Sequence, residues 1–138
     1  MKLTERRRAR ETALKILYRE GMVVGSTDRS FASVMESLSG EKHKASRDYC
    51  ELLLQGIKDN LSEIDSIIEG SSKNWSIDRI SIIDLNILRI AVFELKWHKD
   101  SVPFKVAIDE ALELAKRYSA DDSFKFINGV LDGVAKTV

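Results

Sequence analysis

The sequence predicts an all-α fold, and three observations support this class. Apolar residues recur at helical spacing along most of the 138 residues, no segment shows the alternation of a half-buried strand, and the chain contains one proline, Pro103. Hydrophobic residues make up 43% of the chain, which is enough for a buried core. We expect about seven helices in one all-helical domain, arranged in two groups.

The N-terminal group, about residues 1–70, is predicted to contain four helices. Thr4 is expected to cap the first helix and Ser62 the fourth, because both side chains accept hydrogen bonds from free backbone N–H groups. Residues 40–46 are polar and are predicted to form a loop. The apolar positions place the four helices at about residues 4–21, 31–38, 49–57 and 62–68.

The C-terminal group, about residues 75–138, follows the polar linker at residues 70–74. Its first helix, about residues 80–97, is apolar on several sides and is therefore expected at the centre of a bundle. Pro103 is expected to open the next helix, where its missing N–H is not needed. Asp121 or Asp122 is expected to cap the last helix.

Charge is distributed unevenly along this formally neutral chain, which has 22 basic and 22 acidic side chains. Residues 2–19 contain seven basic and two acidic groups, a local net charge of +5, so the remainder carries −5. On a helix, Arg8 lies opposite the apolar face, whereas Arg6 and Arg10 lie over its N-terminal end. Clustered arginine favours an anionic partner, nucleic-acid phosphate first, and a solvated helix end is the simpler alternative.

Catalytic and metal-binding patterns are weak in this sequence. His43 and His98 are far apart and have no neighbouring ligands at metal-binding spacing, and Cys50 is a lone helical cysteine that is best explained by packing. There is no glycine-rich phosphate loop and no apolar run of the length that a membrane span needs. We therefore expect a cytoplasmic protein that is not an enzyme and has no cofactor.

Four segments together resemble the NusB family of bacterial transcription antitermination factors. They are RRRARETALKILY (6–18), ILRIAVFEL (87–95), VPFKVAIDEALELAK (102–116) and DSFKFINGVL (122–131). The resemblance implies two three-helix bundles with one additional helix. It also implies a role in the antitermination of ribosomal RNA synthesis, in which the protein joins the ribosomal protein NusE to bind single-stranded boxA RNA in the transcription elongation complex.

The same resemblance assigns site residues, one position at a time. Asp84 and Arg89 match positions near the junction with the partner protein. Residues 22–47 are poorly matched, so the resemblance assigns nothing to them. The positions that match the RNA-binding surface are Arg6, Arg7, Arg8, Arg10, Tyr18, Asp122, Ser123, Lys125 and Phe126.

Two alternatives stay open from the sequence. Tyr18 and Phe126 stand at helical spacing, at which aromatic residues more often pack in a core than stack on bases. The whole chain is alternatively a non-catalytic module for protein–protein interaction or dimerisation, with apolar residues around Ile80–Val92 serving a homodimer of the free protein. Asp122 is interpreted as a cap whose charge weakens RNA binding.

Overall fold

The computed structural model describes residues 3–22, 36–73 and 76–138, which form six α-helices and no strand. The all-α prediction is therefore confirmed for these residues. Three 3-10 turns accompany the helices, at Glu36–Leu38, Glu41–His43 and Ile77–Arg79. The helices are α1 (Leu3–Met22), α2 (Lys44–Asp59), α3 (Leu61–Ser71), α4 (Ile82–Trp97), α5 (Phe104–Tyr118) and α6 (Ser123–Thr137).

Several predicted boundaries were wrong by a few residues. Helix α1 already begins at Leu3, so Thr4 lies in its first turn. The carbonyl of Asn60 accepts a hydrogen bond from Ile64 N at 2.9 Å, so α3 begins after Asn60 and Ser62 lies inside it. The predicted loop at residues 40–46 is a 3-10 turn that leads directly into α2. The predicted helix at residues 31–38 lies outside the described residues except for its last three positions.

The chain divides into two compact units, Met1–Gly56 and Ile57–Val138. Helix α3 belongs to the second unit because it packs against α4 and α6. The predicted linker at residues 70–74 comes later in the chain than this division, and its role as a boundary between an N-terminal and a C-terminal half stays a prediction.

In the first unit, α2 is joined to the beginning of α1. The buried hydroxyl of Ser46 donates a hydrogen bond of 2.9 Å to the backbone carbonyl of Glu5. The inner sides of both helices are fully buried, at Ala9 and Ala13 on α1 and at Leu53 on α2. This packing fixes the arginine-rich end of α1 with respect to α2.

In the second unit, α4 packs against α3, α5 and α6, as expected for the most apolar helix. Ser81 caps α4, since its hydroxyl accepts a hydrogen bond from Asp84 N at 3.2 Å. Pro103 stands at the N-cap of α5, as predicted. Every apolar residue of the Ile80–Val92 segment is buried or half-buried. The segment therefore offers no exposed apolar face for a homodimer. Dimerisation of the free protein stays a prediction, but these apolar residues no longer support it.

None of the helices within residues 3–22, 36–73 and 76–138 combines the length and apolar character required to cross a membrane.

Candidate nucleic-acid interface

The arginines of α1 fall into two pairs. Arg6 is half-buried and Arg10 is only 1% exposed, whereas Arg7 and Arg8 are exposed. Because Arg6 and Arg10 are four residues apart, they lie on the same side of the helix. Their guanidinium carbons lie 5.1 Å and 5.8 Å from the centre of the buried Tyr49 ring on α2. These cation–π contacts give the inner pair a structural role in joining α1 to α2.

The outer arginines, Arg7 and Arg8, are accessible to solvent. Arg8 Nη1 lies 3.1 Å from Nδ1 of His43, which belongs to the turn that precedes α2. One turn further along α1, the hydroxyl of Thr12 donates a hydrogen bond of 2.9 Å to the carbonyl of Arg8. Tyr18 lies nearer the C-terminal end of α1 and is 36% exposed, so its side chain is not part of the core.

The environment of His43 is strongly basic. Burial lowers the pKa of the His43 imidazole, and the nearby charges of Arg8, Lys42 and Arg47 lower this pKa further. His43 therefore favours the neutral form, in which a ring nitrogen can accept a hydrogen bond from Arg8.

In the second unit, the residues predicted at the beginning of α6 form a corner between α5 and α6. Asp122 and Lys125 are exposed, Phe126 is half-buried, and Ser123 is buried. Asp122 stands at the N-cap position but its side chain makes no capping hydrogen bond, so its predicted capping role was wrong. The turn is closed by the backbone instead, through a hydrogen bond of 3.0 Å from Ser123 N to the carbonyl of Ala120.

Asp84 holds this corner from the first turn of α4. Its two carboxylate oxygens accept hydrogen bonds from the hydroxyls of Ser119 and Ser123, each at 2.7 Å. The residue is only 8% exposed, so its carboxylate is directed into the unit. In this structure Asp84 positions the end of α5 and the beginning of α6, and direct contact with a partner protein stays a prediction.

A depression of about 620 Å³ lies beside the corner. The Lys116 ammonium nitrogen lies 5.4 Å from the centre of the Phe124 ring in its wall. A basic group and an aromatic ring thus stand next to the residues that were predicted to bind RNA. The lining includes Ala115, Lys116, Ser119, Asp121, Asp122, Phe124 and Lys125.

Arg89 is committed to contacts within the second unit. Its guanidinium donates two hydrogen bonds of 2.9 Å to the two carboxylate oxygens of Asp65 on α3, and a third, of 3.0 Å, to Oδ1 of Asn86. The side chains of Arg89 and Asp65 are 17% and 23% exposed. This bidentate pair holds α3 against α4, and a direct contact of Arg89 with a partner stays a prediction.

The structure gathers the predicted residues into two sets, each described within its own unit. Arg6, Arg7, Arg8, Arg10 and Tyr18 belong to α1, and Asp84 is joined to the α5–α6 corner that carries Asp122–Phe126. The sequence prediction missed Tyr49, because the apolar spacing of α2 indicated only a core residue. Among the described residues, no three His, Cys, Asp or Glu side chains cluster in a way that could hold a metal ion.

Comparison with known proteins gives a consistent result over nearly the whole chain. The model of the NusB family matches residues 7–136. The transcription antitermination protein NusB of Bdellovibrio bacteriovorus is 43% identical over 137 residues, which cover 99% of this chain and 98% of that protein.

Two solved structures agree with this result. The structure of T. maritima NusB has a TM-score of 0.81 at 39% identity and covers 95% of this chain and 90% of that one. A chain in the crystal structure of the antitermination factors NusB and NusE in complex with dsRNA has a TM-score of 0.85 at 31% identity. That match covers 99% of this chain and 100% of the other.

Proposed function

This chain belongs to the NusB family, and we propose from this premise that it is a transcription antitermination protein that binds boxA-type RNA together with NusE. It acts in the transcription elongation complex during ribosomal RNA synthesis, and therefore in the cytoplasm. The observation that carries the proposal is the full-length match to NusB proteins, one of which is solved together with NusE and RNA. Membership of this family also supports a role in binding and not in catalysis.

On α1, we propose that Arg7 and Arg8 contact RNA phosphates. Both side chains are exposed, and a guanidinium group binds phosphate through several N–H donors at once. Tyr18, on the same helix, is exposed enough to stack on a base. Arg6 and Arg10 serve the site indirectly, because their contacts with Tyr49 hold α1 in place.

At the α5–α6 corner, we propose that Lys125 contributes a phosphate contact and that Phe126 contributes part of an aromatic wall. Asp122 is exposed and negatively charged, so it limits RNA affinity. Ser123 is held by Asp84 and fixes the backbone of the corner. Asp84 and Arg89 support the NusE interface by positioning the helices on which that interface depends.

The test is a titration of boxA-type RNA and of an unrelated RNA of equal length, each with and without NusE. We expect binding that depends on sequence and is strengthened by NusE. Loss of two phosphate contacts in the double variant Arg7→Ala with Arg8→Ala should reduce the salt slope, d log K/d log[salt], by about 1.4, since each contact contributes about 0.7 on a single strand.

The matched control replaces two exposed basic residues of the second unit, Arg79 and Lys136, with alanine. It removes the same charge and should leave the slope nearly unchanged. An equal effect of both double variants would reduce the role of Arg7 and Arg8 to net charge alone. Absence of RNA binding under all conditions, with NusE present, would contradict the proposed function.

A further inference from the structure

A basic turn lies beside α1 in a region to which the family resemblance assigns no role. Gly40 has a φ of +91°, which is costly for residues with a side chain, and the 3-10 turn Glu41–His43 follows it. Arg47 Nη1 donates hydrogen bonds to the carbonyls of Leu38 and Gly40, at 2.8 Å and 3.2 Å. The turn is therefore braced from α2.

This braced turn carries two nitrogen-bearing side chains, Lys42 and His43, and places His43 next to the exposed Arg8. Arg8 Nη1 and His43 Nδ1 are in direct contact at 3.1 Å. Lys44 is paired with Asp48 at 2.8 Å, whereas Lys42 is exposed and forms no ion pair with any residue that the structure describes. The charge of Lys42 is therefore available to a ligand.

Cations surround His43 from three elements: Arg8 on α1, Lys42 in its own turn and Arg47 on α2. The nearest acidic residues along the chain are Glu41 and Asp48 on either side of His43, and Glu5 and Glu11 one turn on either side of Arg8. Lys44, which directly follows His43, is paired with Asp48. Burial, followed by the three cations, lowers the pKa of His43. The imidazole is therefore mainly neutral near pH 7, and a bound anion would favour its protonation.

We infer that Lys42 and His43 form a second edge of the RNA-binding surface, where together with Arg8 they bind a backbone phosphate of single-stranded RNA. This inference rests on the proposed RNA-binding function of α1. A phosphate at this place accepts hydrogen bonds from Arg8 and from the protonated imidazole, and it lies close to the Lys42 ammonium. RNA binding is then coupled to proton uptake by His43, so affinity rises as the pH falls.

Filter binding of radiolabelled boxA-type RNA tests the inference, with NusE held constant, at pH 8.0, 7.0 and 6.0 and at several salt concentrations. Lys42→Ala should reduce the salt slope by about 0.7, which corresponds to about fivefold weaker binding at 0.1 M salt. His43→Asn keeps an acceptor near the position of Nδ1 but cannot be protonated. This variant should bind like the wild type at pH 8.0 and lose the gain that the wild type shows at pH 6.0.

His98→Asn is the matched control, since His98 is the other of the two histidines and belongs to the second unit. It should retain the pH dependence of the wild type. A pH profile of His43→Asn that matches the wild type, or an unchanged salt slope in Lys42→Ala, overturns the inference. In that case intact RNA binding by the wild type leaves the proposed function standing, whereas its absence contradicts both.

Discussion

Replacement of Asp84 by alanine should destabilise the second unit and loosen the α5–α6 corner. The carboxylate accepts two hydrogen bonds of 2.7 Å, from hydroxyls that lie 35 and 39 residues further along the chain. The variant Asp84→Ala therefore removes both acceptor oxygens and leaves the hydroxyls of Ser119 and Ser123 without these bonds.

The magnitude follows from the two bonds and their burial. A hydrogen bond to a charged group contributes about 1.5–3 kcal/mol, which gives an upper range of about 3–6 kcal/mol for two. Ser119 is half-buried, so water replaces part of its bond, while Ser123 is only 7% exposed. Alanine also has a higher helix propensity than aspartate, by about 0.6 kcal/mol. We expect a net loss of about 2–4 kcal/mol in the free energy of unfolding.

Urea unfolding followed by tryptophan fluorescence measures this loss, because Trp97 is the last residue of α4 in the second unit. Asp84→Asn retains one acceptor oxygen and should lose about half as much. Asp109→Ala, at an exposed position on α5, is the matched control and should change the stability by less than about 0.5 kcal/mol. Amide hydrogen exchange in the first turn of α6 should accelerate in Asp84→Ala and should stay unchanged in Asp109→Ala.

The reasoning is refuted if the free energy of unfolding of Asp84→Ala lies within about 0.5 kcal/mol of the wild-type value, because a change of that size is expected for an aspartate on the surface. A second check is the double-mutant cycle with Ser123→Ala. If the bond between these two side chains stabilises the fold, the cycle gives a coupling energy of about 1–2 kcal/mol, and a value near zero places the stabilisation elsewhere.

Three further predictions concern single residues. Asp122→Asn should bind RNA more tightly in a gel-shift titration, and equal or weaker binding would contradict the assigned repulsion. The variant should unfold at nearly the same urea concentration, because the Asp122 side chain makes no capping hydrogen bond. Cys50 is fully buried, and burial, with a smaller contribution from Glu51, raises the pKa of its thiol to about 12. A disulfide reagent at pH 8 should therefore label Cys50 only in urea, and rapid labelling of the native protein would contradict its burial. Gly40→Ala should lower the free energy of unfolding by about 1 kcal/mol, because its positive φ is costly for a residue with a side chain. No heavy atom lies within 4 Å of the added Cβ, so a steric clash adds nothing to this cost. An unchanged midpoint of urea unfolding would contradict the assigned strain.

Helical periodicity predicted the helices well because it records which side of each segment is buried. It was less successful at helix ends, where one backbone hydrogen bond decides the first residue. The hydrogen bond from Ile64 N to the Asn60 carbonyl is such a case. The neighbouring Ser62 is of a residue type that often caps helices, so the sequence alone did not distinguish it from a true N-cap. Short polar turns such as Glu41–His43 contain too few residues to show a period.

The candidate site was predicted as a set of residues but not as a division of roles among them. The contact between Arg89 and Asp65 joins residues 24 positions apart, and the bonds from Asp84 span still longer separations. Nothing in local sequence indicates such pairings, because they depend on which helices meet. The helical position of Arg10 did contain a signal, since it lay over the apolar side of α1, where a long basic side chain is buried by its neighbours.

The arginine run at the start of α1 therefore combines two functions that a composition argument treats as one. Arg6 and Arg10 share a side of the helix and contact Tyr49, whereas Arg7 and Arg8 are turned toward solvent. The inner pair remains charged, so it still contributes to the positive potential within a screening length of about 8–10 Å. Replacement of all four arginines would combine lost phosphate contacts with a weakened joint between α1 and α2. Replacement of Arg7 and Arg8 alone leaves the contacts of Arg6 and Arg10 with Tyr49 in place, so it is the sharper test of RNA binding.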